Sequence, residues 1–214
     1  MRDIFFDEAT HTYLVDSMEV PSVTQILEPL HKSYKQVNPS VLEYAANRGR
    51  AVHEALEVYD LGGELEATPE TEPYIRAYLD WEQVYKPKWI GVEQVVFCEE
   101  GWFIGTLDRV GYLNGNELAI VDIKTSTPNR ESYVSVCLQT MAYAMAYASG
   151  TNHKTDWQKI SRYGLFLKND GNFRCINCKE WEGQNHIDSA DAFSRLLYIH
   201  KMVDKLLDTK GRKK

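Results

Sequence analysis

The triplet Asp122-Ile123-Lys124 is where residue type and spacing first suggest chemistry. Residues two apart in a strand share a face. The Asp122 carboxylate and the Lys124 ammonium therefore project together, while Ile123 turns the other way into the core. Burying an acid and a lysine on one face of a strand carries a desolvation cost that a purely structural strand avoids. Asp108 lies 14 residues earlier, and Asn114-Gly115-Asn116 between them is a tight hairpin signal. Folding about that turn sets the two strands side by side, and the register decides whether the two carboxylates meet. Adjacent carboxylates repel unless one is protonated or a cation bridges them. An all-oxygen ligand set favours Mg2+ or Mn2+. A bound metal lowers the pKa of its water, and a lysine beside it can orient or deprotonate that water. Together these groups suit phosphodiester hydrolysis. An isolated Asp-x-Lys is most often an exposed ion pair; Gly105-Thr106-Leu107-Asp108, the hairpin spacing and the helix that follows set this one apart.

Two further groups accompany the triplet. Gln139 and Tyr143 stand at i and i+4 of a helical segment and so share a face. Each can bond a phosphate or a base edge, or the pair can be a core tyrosine with a neighbouring glutamine. Upstream, Arg48-Gly49-Arg50-Ala51-Val52-His53 puts a histidine inside a long helix, with Glu57 one turn below it. A lone helical histidine is more often packed than ligating. The two arginines one turn earlier can meet phosphates or form a solvated face.

The elements that must position these groups follow from periodicity and punctuation. Ile4-Phe5-Phe6 and Thr12-Tyr13-Leu14-Val15 read as a hairpin, with a second turn at Asp16 to Glu19. Ser22 and Gln25 form a capping-box signature for a short helix. Residues 39–60 and 72–85 have helical spacing, separated by an acidic loop. Strands are predicted over 90–97, 103–113 and 117–124, the last nearly continuous in apolar residues as for burial on both faces. A helix over 132–149, a hairpin of 160–168 with 172–178, and a helix over 189–207 complete the chain. The order predicts one α/β domain with a mixed central sheet flanked by helices. Within the single domain 1–214, a hairpin and helical region (1–88) precedes a core (89–150), a C-terminal hairpin and helix (151–208) and a basic tail (209–214).

The ordered set resembles the PD-(D/E)XK nuclease superfamily, in its RecB-like branch of phage- and mitochondrial-type single-domain exonucleases. The matching pieces are Val20-Pro21-Ser22-Val23-Thr24-Gln25-Ile26-Leu27, Arg48 to His53, Glu93, Gly105-Thr106-Leu107-Asp108, Val121 to Ser126, and Gln139 with Tyr143. Gly105-Thr106-Leu107-Asp108 stands where the superfamily's Pro-Asp would be. The resemblance implies a restriction-endonuclease-like core. It implies metal ligation by His53, Asp108, Asp122 and the Ile123 carbonyl, with Lys124 positioning or activating water. Gln139 and Tyr143 would hold DNA near the scissile phosphate, with Arg48 and Arg50 as phosphate contacts. Glu93 and Glu57 would stand behind the ligands, or Glu93 would pair with an arginine. Mg2+ or Mn2+ is the implied cofactor, and Asp108, Asp122 and Lys124 the catalytic set. Some relatives hold an iron–sulfur cluster with one cysteine before the core and three after. Here Cys98 and Cys137 lie within the core and Cys175 and Cys178 after it, so ordinary reduced thiols are expected.

Composition bounds the function. The 214 residues are 43% hydrophobic and 26% charged, ordinary for a globular domain. No apolar stretch is long enough to span a membrane, and no secretory signal opens the chain, so a cytoplasmic location is expected. Net charge is −7, with −11 in residues 1–100 and +4 in the rest. A binder driven by counterion release should be basic overall, whereas an enzyme meeting phosphates through metal need not be. No glycine-rich phosphate loop ending in Gly-Lys-Ser/Thr is present. The sequence therefore reads as a stand-alone metal-dependent exonuclease acting on DNA ends in phage or bacterial recombination, replication or repair. A single-strand annealing or single-strand-binding protein is its expected companion. A structure-selective endonuclease on the same core and a non-catalytic DNA-binding module are the alternatives.

Overall fold

A computed structural model describes residues 2–7, 10, 12–30, 37–151 and 155–211. Of the basic tail expected at 209–214, residues 212–214 lie outside them and 209–211 end the last helix. A five-stranded sheet has the spatial order β4 (Lys88–Cys98), β5 (Phe103–Leu113), β6 (Glu117–Lys124), β7 (Ser161–Leu167), β8 (Phe173–Asn177). β4, β5 and β6 form an antiparallel meander, β6 and β7 run parallel, and β8 returns antiparallel. The mixed sheet expected from sequence is present. Its parallel pair requires a crossover, supplied by α4 (Arg130–Gly150).

α4 is apolar around its whole circumference, as a helix enclosed on all sides must be. Twelve of its residues are buried, with alanines at 142, 144, 146 and 148 letting neighbours approach. One face of the sheet packs on α4, α1 (Val23–Leu27) and α6 (Ser189–Gly211) through Val23, Ile26, Leu107, Ile120, Leu138 and Phe193. The other face packs on α2 (Pro39–Asp60) and α3 (Glu72–Tyr85) through Val52, Leu56, Tyr78, Trp81, Val121 and Ile123.

A small antiparallel sheet of β1 (Ile4–Asp7), β2 (Thr12–Val15) and β3 (Met18–Val20) sits at the N-terminus. The sequence showed the first two strands and a turn; β3 is too short to have its own period. Ser22 caps α1 with the capping box expected, and Ile104 N–H donates to Pro21 O at 3.1 Å, fastening this lobe to β5. One helix was missed. Residues 172–178 were read as a single strand, but β8 ends at Asn177, whose side chain caps α5 (Cys178–Asn185). Cys178 thus opens a helix rather than ending a strand.

Candidate active site

The candidate site is a fork in the sheet. β5 and β6 are paired from Leu113↔Glu117 to Arg109↔Val121 and no further. Beyond that point β5 stays with β4 down to Phe103, and β6 stays with β7 up to Lys124. Asp108 and Asp122 stand where the two strands part. Ile123 N–H, which has lost its strand partner on that side, donates instead to Asp108 Oδ2 at 2.6 Å. A carboxylate thus takes over one rung of the ladder and is fixed by doing so.

α2 crosses the open end of the fork. Its His53 Nε2 lies 3.1 Å from Ile123 O and donates to it. Its Nδ1 lies 3.6 Å from Glu93 Oε1 and 4.0 Å from Asp108 Oδ1. Arg48, more than a turn earlier, donates to Thr125 O at 3.2 Å and lies over the rings of Tyr74 and Tyr44. The close crossing needs a small residue: a Cβ on Gly49 would lie 3.3 Å from Thr125 Oγ1.

Glu93 enters from β4 in an unusual way. Val92 pairs with Arg109 and Gln94 with Leu107, so Glu93 stands level with Asp108. Its φ is +45° in an otherwise extended strand, a conformation costly for any residue but glycine. His53, Glu93 and Asp108 each offer one ligand atom within 4.8 Å of the others. The sequence reading put Glu93 behind the ligands; the structure brings it in among them. Its alternative, a pairing with an arginine, is also present, since Arg109 Nη1 donates to Glu93 Oε1 at 3.0 Å. Glu57 is half-buried on α2 and is outside this cluster.

Asp122 and Lys124 share the face toward α4, as strand periodicity requires. Lys124 Nζ is 2.7 Å from Asp122 Oδ2 and donates to Gln139 Oε1 at 3.1 Å. Gln139 Nε2 in turn donates to the Tyr143 hydroxyl at 2.9 Å. Gln139 and Tyr143 are only 8% and 3% exposed, so in this arrangement they face Lys124 rather than an open surface. Arg50 bonds Asn47 on its own helix.

The electrostatics are lopsided. Asp122 is fully buried; Lys124 meets its Oδ2 at 2.7 Å, and among the described residues its Oδ1 has no hydrogen-bond partner. Burial pushes its carboxyl up to about 6, with Lys124 opposing and Asp108 adding to the rise. For His53, burial pulls the imidazole down, but the Asp108 and Glu93 carboxylates outweigh it and the net shift is upward. Carboxylates crowded in a low-dielectric fork, one of them with an oxygen left unpartnered, are a donor set a hard divalent cation fits. His53, Glu93, Asp108, Asp122 and the Ile123 carbonyl are the groups that would hold one.

Sequence reasoning missed Asp60, Arg109 and Tyr13. Arg109 follows Asp108 directly and is fully buried; a charged residue in mid-strand beside a candidate ligand was the available signal. Tyr13 hydroxyl lies 2.9 Å from Thr106 Oγ1, carrying the N-terminal sheet to the edge of the site.

The sequence model of the PD-(D/E)XK nuclease superfamily matches residues 70–207. No curated protein matches. Among solved structures, the chain is similar to LHK-Exo in complex with dAMP, at 14% identity and a TM-score of 0.42 over 91% of this chain and 94% of that one. It is also similar to a structure of LHK-Exo, an alkaline exonuclease from Laribacter hongkongensis, at 12% identity and a TM-score of 0.34 over 86% and 93% of the two chains. Among the described residues no helix is long and apolar enough to cross a membrane. The family match takes in Glu93, Asp108, Asp122, Lys124 and Gln139 and covers well over half of the sequence, and the chain belongs to the PD-(D/E)XK nuclease superfamily.

Proposed function

We propose that this nuclease is a divalent-metal-dependent deoxyribonuclease that degrades DNA from its ends. The observation that supports metal dependence is the buried Asp122 carboxylate, met by Lys124 at one oxygen only, in the same fork as the His53–Glu93–Asp108 cluster. A buried carboxylate short of partners is expensive, and a cation is the simplest further compensation. End-directed action follows the resemblance of the motif set to single-domain exonucleases.

Mg2+ or Mn2+, held by the fork, would supply Lewis-acid stabilisation of charge on the phosphate and a more acidic water. The chain supplies the rest. Lys124 Nζ, fixed between Asp122 and Gln139, would hydrogen-bond and orient the attacking water. Asp108, locked by Ile123 N–H, keeps its other oxygen toward the cluster. Gln139 and Tyr143 form one connected chain of hydrogen bonds with Lys124, which restricts where its ammonium can go. Burial pushes the Tyr143 phenol well up, so it keeps its proton.

The test uses end-labelled single-stranded, blunt duplex and closed circular DNA, each with Mg2+, Mn2+ or EDTA. Metal-dependent loss of linear DNA with the circle spared is the expected result. Cutting of the circle establishes an endonuclease. DNA binding without cleavage under every metal leaves a binding module.

A further inference from the structure

Arg109 is a fully buried guanidinium that reaches three points at once. Its Nε donates to Asp60 Oδ2 at 2.6 Å, its Nη1 to Glu93 Oε1 at 3.0 Å, and the same Nη1 to the Asp108 carbonyl at 2.8 Å. Asp60 is itself enclosed, its side chain 2% exposed, and Tyr78 hydroxyl donates to it at 2.8 Å. Trp89 Nε1 donates to Tyr78 at 3.2 Å. A connected chain of bonds, with Asp60 accepting from both Tyr78 and Arg109, thus runs from the α3 side of the core to the Glu93 carboxylate at the fork.

Charge accounting shows which way this chain serves. Asp60 alone neutralises Arg109 at close range in a dry environment. Arg109 therefore has its neutralising charge without Glu93, although its Nη2 has no hydrogen-bond partner among the described residues. Glu93 is a quarter exposed and could turn to solvent. Instead it sits at a left-handed φ, level with Asp108, within 3.6 Å of His53. Backbone strain of this kind persists only where the surroundings over-determine it. Two independent observations, the neutralised arginine and the strained backbone, converge on one side chain.

We infer that Asp60 and Arg109 are positioning residues whose role is to aim Glu93 at the His53–Asp108 cluster. Asp60 holds the guanidinium in place from below, and Arg109 holds both the Glu93 carboxylate and the Asp108 backbone from above. The inference rests on the metal-dependent nuclease reading and adds to it two residues outside the cluster.

The experiment compares wild type, Asp60→Asn, Glu93→Gln and the double variant. Mn2+ affinity is measured by calorimetry without DNA, and kcat and KM on end-labelled DNA with Mg2+. Residues that orient metal ligands typically matter by 10- to 100-fold. Asp60→Asn should weaken Mn2+ binding and lower kcat by about tenfold each, with KM for DNA unchanged. If Asp60 acts through Glu93, the double variant is no worse than Glu93→Gln alone. A variant that lowers the melting temperature but leaves Mn2+ affinity and kcat intact overturns the inference, as do losses that multiply in the double variant. Should Asp60→Asn fail to fold, Arg109→Lys keeps the buried charge but cannot bridge three acceptors in one plane, and the same readouts apply. A wild type that neither binds Mn2+ nor cleaves DNA brings down the metal-nuclease reading itself. A wild type that does both, with indifferent variants, brings down only this inference.

Discussion

In the proposed nuclease, Asp122 sets function against stability at a single residue. Its raised carboxyl means that the folded protein binds a proton more readily than the unfolded chain, where an aspartate titrates near 3.9. Stability from that proton is fully present below about pH 4 and is lost as pH rises through about 6. In EDTA at pH 7.5, the ionised Asp122 therefore destabilises the fold, by something on the order of 2–3 kcal/mol for a shift of this size. Asp122→Asn removes the charge and keeps the shape. It should melt several degrees above wild type in EDTA at pH 7.5, about 2–4 °C per kcal/mol at this chain length. The difference should shrink toward zero by pH 4, and the same variant should cleave nothing. Calorimetry across that range reads it, and a variant less stable than wild type at pH 7.5 would show that Asp122 is satisfied without a cation. Lys124→Met is the complementary case. Lys124 is partly exposed, but it is the counter-charge of the fully buried Asp122, so in EDTA at pH 7.5 its loss should lower the melting temperature, opposite in sign to Asp122→Asn. Cleavage should fall by at least 100-fold, in line with loss of a positioned acid–base group, as measured in single-turnover assays.

Among the elements, the close seat of α4 on β5 ties packing to the site. A Cβ on Gly105 would lie 2.8 Å from Tyr143 Cε1 and 3.2 Å from the Val23 side chain. No partner there is the loose end of a flexible chain, so Gly105→Ala must shift an aromatic ring or α1. Overpacking of this kind costs about 1–3 kcal/mol, and here it also pushes on the Tyr143–Gln139–Lys124 chain. Urea midpoints should fall, and cleavage should drop by more than DNA binding does; an unchanged rate would mean that the chain of bonds absorbs the shift. The elements were largely readable because α2, α3, β5, β6 and α4 announce themselves by period and by their stops. Asp122 and Lys124 shared a face by strand geometry alone, and Asp108 came within reach through the Asn114-Gly115 turn. What the sequence could not give was tertiary. The fork exists because β6 follows β7 instead of β5 past Val121, and no local pattern encodes which neighbour a strand keeps. Glu93 belongs to the cluster through a left-handed residue that strand periodicity treats as an error. Asp60 ends a helix 49 residues before Arg109, and only the packing of α2 against the sheet makes them a pair. Short elements also escaped: β3 has three residues and α5 eight, and in α5 the cap at Asn177 was hidden inside a strand-like run.

For the molecule as a whole, charge makes a demand that the fold answers locally. Net charge is −7, and the first 100 residues alone carry −11. Such a protein repels a polyanion at long range, so DNA must be held by few contacts close to the site. Arg48 is already engaged with Thr125 O and two tyrosine rings, and Arg50 with Asn47, so we expect side chains near the fork to neutralise no more than two or three phosphates. Each neutralised phosphate contributes about −0.9 to the slope of log affinity against log salt on duplex DNA. Two or three contacts predict a slope of roughly −2 to −3, and therefore only about a 10- to 40-fold loss of affinity between 50 and 200 mM salt. A protein gripping DNA along an extended basic surface would lose about 10³- to 10⁵-fold over the same range. Lys124→Met with Mg2+ present is the form to measure, since it should bind without cutting, and fluorescence anisotropy on a short labelled duplex gives the slope directly. Removing Mg2+ should weaken binding further still, because the Asp108, Asp122 and Glu93 carboxylates would then face the phosphates bare. A steep slope, or affinity indifferent to EDTA, would place the DNA on some other surface and separate binding from the fork.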